Sequence, residues 1–450
     1  MKYKYYFCKK NTKNEVILDK LNDLTYSIYV EKEMETMLMQ FNVTNALSFK
    51  NEVILDLVAT SDTEHKNNLI EFRKDNILPT VAIYGANAAG KSNLFKALTS
   101  AIMFVRMSSS MQIDSKIAIT PFVMDEEGRQ GKTRFDFVYE YEGVKYEYGF
   151  VADVSKVYEE YLYAYKSARP SMIFERFDIN QYKYTSTLRN SLKQYEDKNT
   201  DNKLFLATAT AWNCKETEGA FRWFAEMIDT YSPESLMNSM AEALELDEKG
   251  ELKDTAVKML RAADFNISDY DFSVKQESLA NFPLPPGVSL DKEIIENMKS
   301  FELKMYHDFK KDKGVERVSL PFHMESKGTQ MYFAYCPAIM KALKTGKTIV
   351  VDEIDNGLHP MLVRHLVGIF NSRETNPKGA QLIFNTHDID LLDLDFLRRD
   401  QIYFVEKDNL TGASDLYALS DFSPRKSEKI QKGYMIGRYG AIPNIGGVEW

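Results

Sequence analysis

The chain has 450 residues, 44% hydrophobic and 12% aromatic, with 57 basic against 66 acidic side chains for a net charge of −9. That length predicts two or three structural units, and the composition is globular rather than disordered. The acidic balance argues against a protein that coats nucleic acid by global electrostatics, though a local basic groove stays open.

Residues 1–36 are polar, charged and poorly periodic. They read as an N-terminal extension dispensable for folding. No signal-like apolar core follows Met1-Lys2-Tyr3-Lys4 and no stretch approaches membrane-spanning length, so a cytoplasmic protein without a membrane domain is expected. Cys8, Cys214 and Cys336 lie far apart, which predicts neither a disulfide framework nor a zinc site. From residue 37 a strand pattern begins: 37–43, 47–49 and 53–57 read as paired strands with a turn near Lys50-Asn51.

The apolar run 81–84 then enters Gly85-Ala86-Asn87-Ala88-Ala89-Gly90-Lys91-Ser92, a G-x-x-x-x-G-K-S, and a helix is predicted from Asn93 to about Arg106. Strand, loop and helix in that order form a phosphate-binding loop. Glycines let successive backbone N–H groups curl around phosphate oxygens, and the helix N-terminus adds positive dipole. Gly85, Asn87, Ala88, Ala89, Gly90, Lys91, Ser92 and Asn93 are therefore expected to hold ATP. Lys91 reaches the β- and γ-phosphates, and the Ser92 hydroxyl is a ligand for Mg²⁺.

Short alternating bursts at 135–139, 145–150 and 161–165, with turns at Glu142-Gly143 and 167–170, predict an antiparallel meander. Its tyrosines are expected to be core and rim rather than a base-stacking platform. Residues 185–300 read as a mostly helical insertion: Phe221, Phe224 and Ile228 recur at helical spacing, as do Met237, Met240 and Leu244. A Pro-rich loop at 283–287 falls near its end, and no heptad pattern persists.

The run 348–353 is a buried strand ending in two acids. Asp352 is placed to hold Mg²⁺, and Glu353 to orient and deprotonate the attacking water. Before it, 325–330 (Glu-Ser-Lys-Gly-Thr-Gln) precedes a helix predicted over 332–343. After it, 381–388 is a further buried strand ending in Thr386-His387.

This order resembles the ABC-type ATPases of the SMC- and OLD-like kind. The resemblance implies that Ser326 and Gly328 stand for the signature motif, Asp355 begins the D-loop and His387 is the switch histidine. It implies an α/β fold: an ABC-type head with an antiparallel β-subdomain, in halves at 37–184 and 301–450 around the insertion at 185–300. Lys327 replaces the first signature glycine. The Q-loop has no clear glutamine; Gln112 is a candidate, and 120–122 fits that place better. Residues 37–49, 260–267, 352–360 and 433–445 look like compact bacterial abortive-infection ATPases.

That likeness implies an ATP-hydrolysing sensor in phage defence, dimeric or a higher homo-oligomer, controlling an effector encoded by a neighbouring gene. The insertion and residues 421–450 would be its docking surfaces. Asp390, Asp393, Asp395 and Asp400 follow the switch histidine, but they read as helix-capping and solvating groups, so no nuclease is expected in this chain. The alternatives are a DNA-clamping maintenance ATPase, which a basic stripe would favour, and a self-contained OLD-like nuclease.

Overall fold

The computed structural model describes residues 36–247, 249–276, 299–312 and 314–443. Two sheets organise them. The first follows from the alternating N-terminal pattern. In Thr36–Thr44 the side chains of Phe41 and Val43 are buried while Gln40 and Asn42 face outward. This strand pairs antiparallel with Val53–Asp56 on one side and with Thr133–Tyr141 on the other. Val144–Ala152, Val157–Tyr165, Ser171–Phe177 and Gln181–Tyr184 continue the meander to seven strands. Thr36 opens the first strand opposite Tyr141, one residue ahead of the predicted start. The remainder of the expected N-terminal extension lies outside the described residues.

The central strands of the second sheet are continuous apolar runs, as strands covered on both faces require. The sheet's order is Ile228–Tyr231, Thr348–Val351, Gln381–Asn385, Thr80–Tyr84, Ile402–Lys407 and Ser414–Ala418. The first five strands are parallel and the last is antiparallel. Along Thr80–Tyr84 the side chains alternate between two cores. Val81 and Ile83 join the core shared with the seven-stranded sheet and the helix Lys91–Met107. Ala82 and Tyr84 join the core beneath the helices Lys327–Thr345 and Pro360–Asn371. All four are 0–1% exposed, so the strand that carries the phosphate loop is fixed from both faces.

The stretch 185–300 departs from the helical expectation in two places. Arg189–Leu192, Phe205–Ala211, Lys215–Arg222, Pro233–Glu245 and Glu251–Ala262 are helices. Ile228, read as the third member of a helical face, instead begins a strand that pairs with Thr348. A four-residue edge strand burying one side chain has too little pattern to betray itself; its partner strand lies more than a hundred residues away. Farther on, Asp269–Gln276 and Lys299–Lys311 form an antiparallel sheet with Gly314–Pro321. The loop expected at 283–287 lies outside the described residues.

The helices at 205–222 are not an appendage. Trp223 stacks on Tyr139 at 4.3 Å, and Tyr139 Oη donates to Ala220 O at 3.0 Å. Glu160, fully buried, accepts from the N–H groups of Phe205 (2.6 Å) and Leu206 (2.9 Å) at a helix N-terminus, and from Tyr148 Oη. Tyr139 and Tyr148 are thus core residues, as the alternating pattern implied.

One expectation about the late aspartates fails. Asp400 is buried, not solvating: it takes two bonds from Arg398, whose guanidinium also binds the carbonyls of Thr60, Asp62 and Glu64. An Arg–Asp pair two residues apart folds inward because the 60–64 loop offers it acceptors; nothing in the local sequence signals that. Asp393 pairs with Arg364 at 2.9 Å and Asp390 is exposed.

Candidate nucleotide-binding site

The parallel strands end together, and their C-terminal ends carry the predicted site residues. Thr80–Tyr84 turns into the loop at Gly85, and the helix Lys91–Met107 starts at Lys91. Two close approaches require the glycines. A Cβ on Gly85 would collide with Val405 O, and on Gly90 (φ +118°) it would lie 2.5 Å from Ser414 Oγ and 2.7 Å from Ser48 Oγ. The loop is therefore clasped by the strand at 402–407 and by the turn near residue 48. Ser414 Oγ adds a bond to Ala89 O at 2.6 Å.

Gly90 caps the helix without any side-chain bond to its first N–H groups, which leaves those donors and the dipole for an anion. Asn87 and Ala88 are exposed at the loop's crest, and Ala89 lies buried beneath it. Asn93, one turn in, donates its N–H to Gly90 O at 2.9 Å. Lys91 is 6% exposed and donates to Gly85 O (2.7 Å) and Ala86 O (3.1 Å), folding its ammonium into the loop. Burial pushes its pKa down; Asp355, Glu353 and Asp352 oppose that.

Ser92 Oγ donates to Asp352 Oδ1 at 3.0 Å. This donor set fits Mg²⁺, which takes hard oxygen ligands from one or two protein groups and completes its shell with phosphate and water. Among the described residues no group of three or more His, Cys, Asp or Glu forms a metal cage, which such an ion does not need.

Asn385, last residue of its strand and 0% exposed, was not expected. Its Nδ2 donates to Asp352 Oδ1, and its Oδ1 accepts from the Glu353 N–H at 2.6 Å. One amide therefore fixes both acids of the neighbouring strand. Glu353 itself sits at φ +54°, a left-handed conformation costly for a non-glycine residue and held here by that bond. Its carboxylate is exposed, and Oε2 accepts from Asn356 Nδ2 at 3.2 Å.

His387 is exposed beside this cluster, its backbone N–H bound to Asp355 Oδ2 at 3.1 Å. Partial burial and then Lys91 depress its pKa, so the imidazole is neutral near pH 7, able to donate from one nitrogen and accept at the other. Ser326 lies apart from the phosphate loop. It is exposed, caps the helix Lys327–Thr345 by accepting from the Thr329 N–H at 3.1 Å, and has no hydrogen bond to 85–92. That helix begins five residues before its predicted start. Gly328 packs on the loop after the acids: a Cβ there would meet Gly357 O at 3.0 Å.

Neither Q-loop candidate bonds to the phosphate loop. Gln112 O accepts from Asn202 Nδ2 at 2.8 Å. The 120–122 stretch is stitched to the turn beside Gly90, through Leu47 N–H to Thr120 O (2.9 Å) and Phe122 N–H to Asn45 Oδ1 (3.3 Å).

Sequence comparison matches residues 81–195 and 228–395 to the family described as "AAA domain, putative AbiEii toxin, Type IV TA system". No curated protein matches the chain. Among solved structures, the SMC head domain from Thermotoga maritima is 12% identical with a TM-score of 0.37, covering 85% of this chain and 98% of that one. An Smc head domain with an extended coiled coil, bound to the C-terminal domain of ScpA and derived from Pyrococcus furiosus, is 13% identical with a TM-score of 0.34, covering 90% and 99%. These likenesses are too loose to bear on function.

Proposed function

Because the chain belongs to this AAA-domain family over more than half its length, and is a P-loop ATPase of the ABC type, we propose that it hydrolyses ATP as a switch rather than as an end in itself. The observation that carries the proposal is the joined cluster Ser92–Asp352–Asn385–Glu353, which sets a metal-binding pair beside an exposed carboxylate at the mouth of the phosphate loop. Lys91 and the helix N-terminus bind the phosphates. Ser92 and Asp352 would hold Mg²⁺, which would supply neutralisation of phosphate charge. Glu353 takes the proton from the attacking water, and His387, neutral and adjacent, orients the terminal phosphate.

Two chains close on ATP in this proposal, each supplying Ser326 and Gly328 to the other's nucleotide. The exposure of Ser326 supports it. The shape change on closing and hydrolysis controls a separate effector in anti-phage defence; the Abi-type wording of the family's description supports the defence setting alone.

Glu353→Gln tests the core of this. The amide cannot accept a proton, so hydrolysis should fall by about 10²-fold or more while ATP binding persists and ATP-bound dimer accumulates. Unchanged turnover would place the base elsewhere. The output is tested by expressing the chain with its genomic neighbour, expecting phage restriction that requires both Lys91 and Glu353. Metal-dependent nuclease activity from this chain alone would overturn the switch assignment.

A further inference from the structure

We propose that Lys327 is a positioning residue for hydrolysis, acting through Asn356 on the Glu353 carboxylate; this rests on Glu353 being the base. Lys327 occupies the place where the ABC-type signature has its first glycine, so its side chain is an addition to the motif. It runs back over the loop that follows the acids. A Cβ on Gly357 (φ +78°) would come within 3.0–3.2 Å of Lys327 Cγ, Cδ and Cε. Its Nζ donates to Asn356 Oδ1 at 2.6 Å, and Asn356 Nδ2 donates to Glu353 Oε2 at 3.2 Å.

The chemistry of an amide gives this chain of contacts a direction. A free asparagine can present either end to a neighbouring carboxylate, and its oxygen would repel it. A charge-assisted bond from the ammonium fixes Oδ1 toward Lys327 and leaves the NH₂ for Glu353. With Oε2 so occupied, Oε1 is the oxygen left to accept the proton from water. The backbone N–H of Glu353 is held by Asn385 and its carbonyl by the main-chain N–H of Asn356 at 2.9 Å, so the side chains of Lys327 and Asn356 can be changed while those backbone bonds remain.

The relay also joins two sites. In the proposed dimer, the signature helix that each chain would offer to its partner's nucleotide is tied to the base that works on the chain's own nucleotide. Closure at one site is then felt at the other.

The test is steady-state ATP hydrolysis and ATP affinity of the full chain for Lys327→Gly, Lys327→Arg, Asn356→Ala and the Lys327→Gly/Asn356→Ala double variant, beside Glu353→Gln. These side chains are in reach of water, so the expected loss is moderate: Lys327→Gly and Asn356→Ala should each lower kcat on the order of tenfold, with KM and ATP affinity within about twofold. The double variant should be no slower than either single one, because both act along one path. Lys327→Arg, which keeps a cationic donor, should recover most of the rate. Unchanged kcat in Lys327→Gly, with hydrolysis lost in Glu353→Gln, would overturn the relay and leave the base assignment standing. Turnover surviving in Glu353→Gln would overturn both. A loss of ATP affinity in Lys327→Gly would show that the lysine acts on nucleotide instead.

Discussion

Two non-glycine residues at the site adopt left-handed backbone, Ala88 at φ +61° and Glu353 at φ +54°, and they differ in what holds them. For an L-residue this conformation costs roughly 1–2 kcal/mol. Ala88 is exposed at the loop's crest, with nothing to gain from its methyl group. Ala88→Gly should therefore stabilise the folded chain, by about 0.5–1 kcal/mol after the extra freedom glycine confers on the unfolded chain, read as a raised denaturant midpoint. Unchanged or lowered stability would mean the strain is relieved elsewhere. Glu353 is strained where the chemistry is, and Asn385 holds it. Asn385→Ala removes both bonds of that amide, leaving the Glu353 N–H without its partner and Asp352 Oδ1 with Ser92 alone. It should lower kcat more than ATP affinity and cost about 1–3 kcal/mol of stability. Equal loss in binding and turnover would count against a role confined to the acids.

The elements that could be read from sequence are those whose signal is contiguous. The phosphate loop shows itself because strand, glycines and helix follow one another without a break from residue 80 to 107. The meander shows itself through period-2 alternation, and the acidic strand through three apolar residues, Ile349 to Val351, ahead of two carboxylates. What stayed hidden comes from sheet pairing. Asn385 meets Asp352 and Glu353 across 33 and 32 residues only because their two strands are neighbours. Ile228 looked helical because its strand is four residues long and contributes one buried side chain. The helices at 205–222 carry a similar lesson, for their amphipathic spacing says nothing of what they cover. Trp223, 0% exposed between Tyr139, Phe137 and Phe224, ties them to the seven-stranded sheet. Trp223→Ala should cost about 3–5 kcal/mol, measured by urea unfolding. A change below about 1 kcal/mol would show that these helices are a loosely attached appendage after all.

Across the whole molecule, pH acts on the stability of the fold, and in the proposed switch concentration acts on turnover. His365 and His387 are both held below their ordinary 6.5, His365 by burial and His387 by burial and then Lys91. At these two imidazoles the folded chain thus binds fewer protons than the unfolded chain once pH falls through 6.5. Their contribution is intact above that value and is lost as pH drops toward the folded values. Urea midpoints should accordingly fall from about pH 7.5 to about pH 5.5, and His365→Leu should flatten the decline. The lever on turnover is concentration. Each chain carries a phosphate loop and a signature serine, yet Ser326 is exposed, caps its own helix through bonds to Thr329 and makes no bond to residues 85–92. If ATP is completed only by a second copy, hydrolysis per chain should rise with protein concentration and level off once dimer dominates. Ser326→Arg places a bulky cation at the closing surface and should abolish that rise. The lost helix cap should cost only about 1 kcal/mol of stability, so a melting curve close to the parent separates failed closure from failed folding. ATP affinity, which belongs to Lys91 and the loop, should survive. A rate per chain that stays constant on dilution to full monomer would show each site to be complete within one chain, and the switch would then have to work without dimerisation.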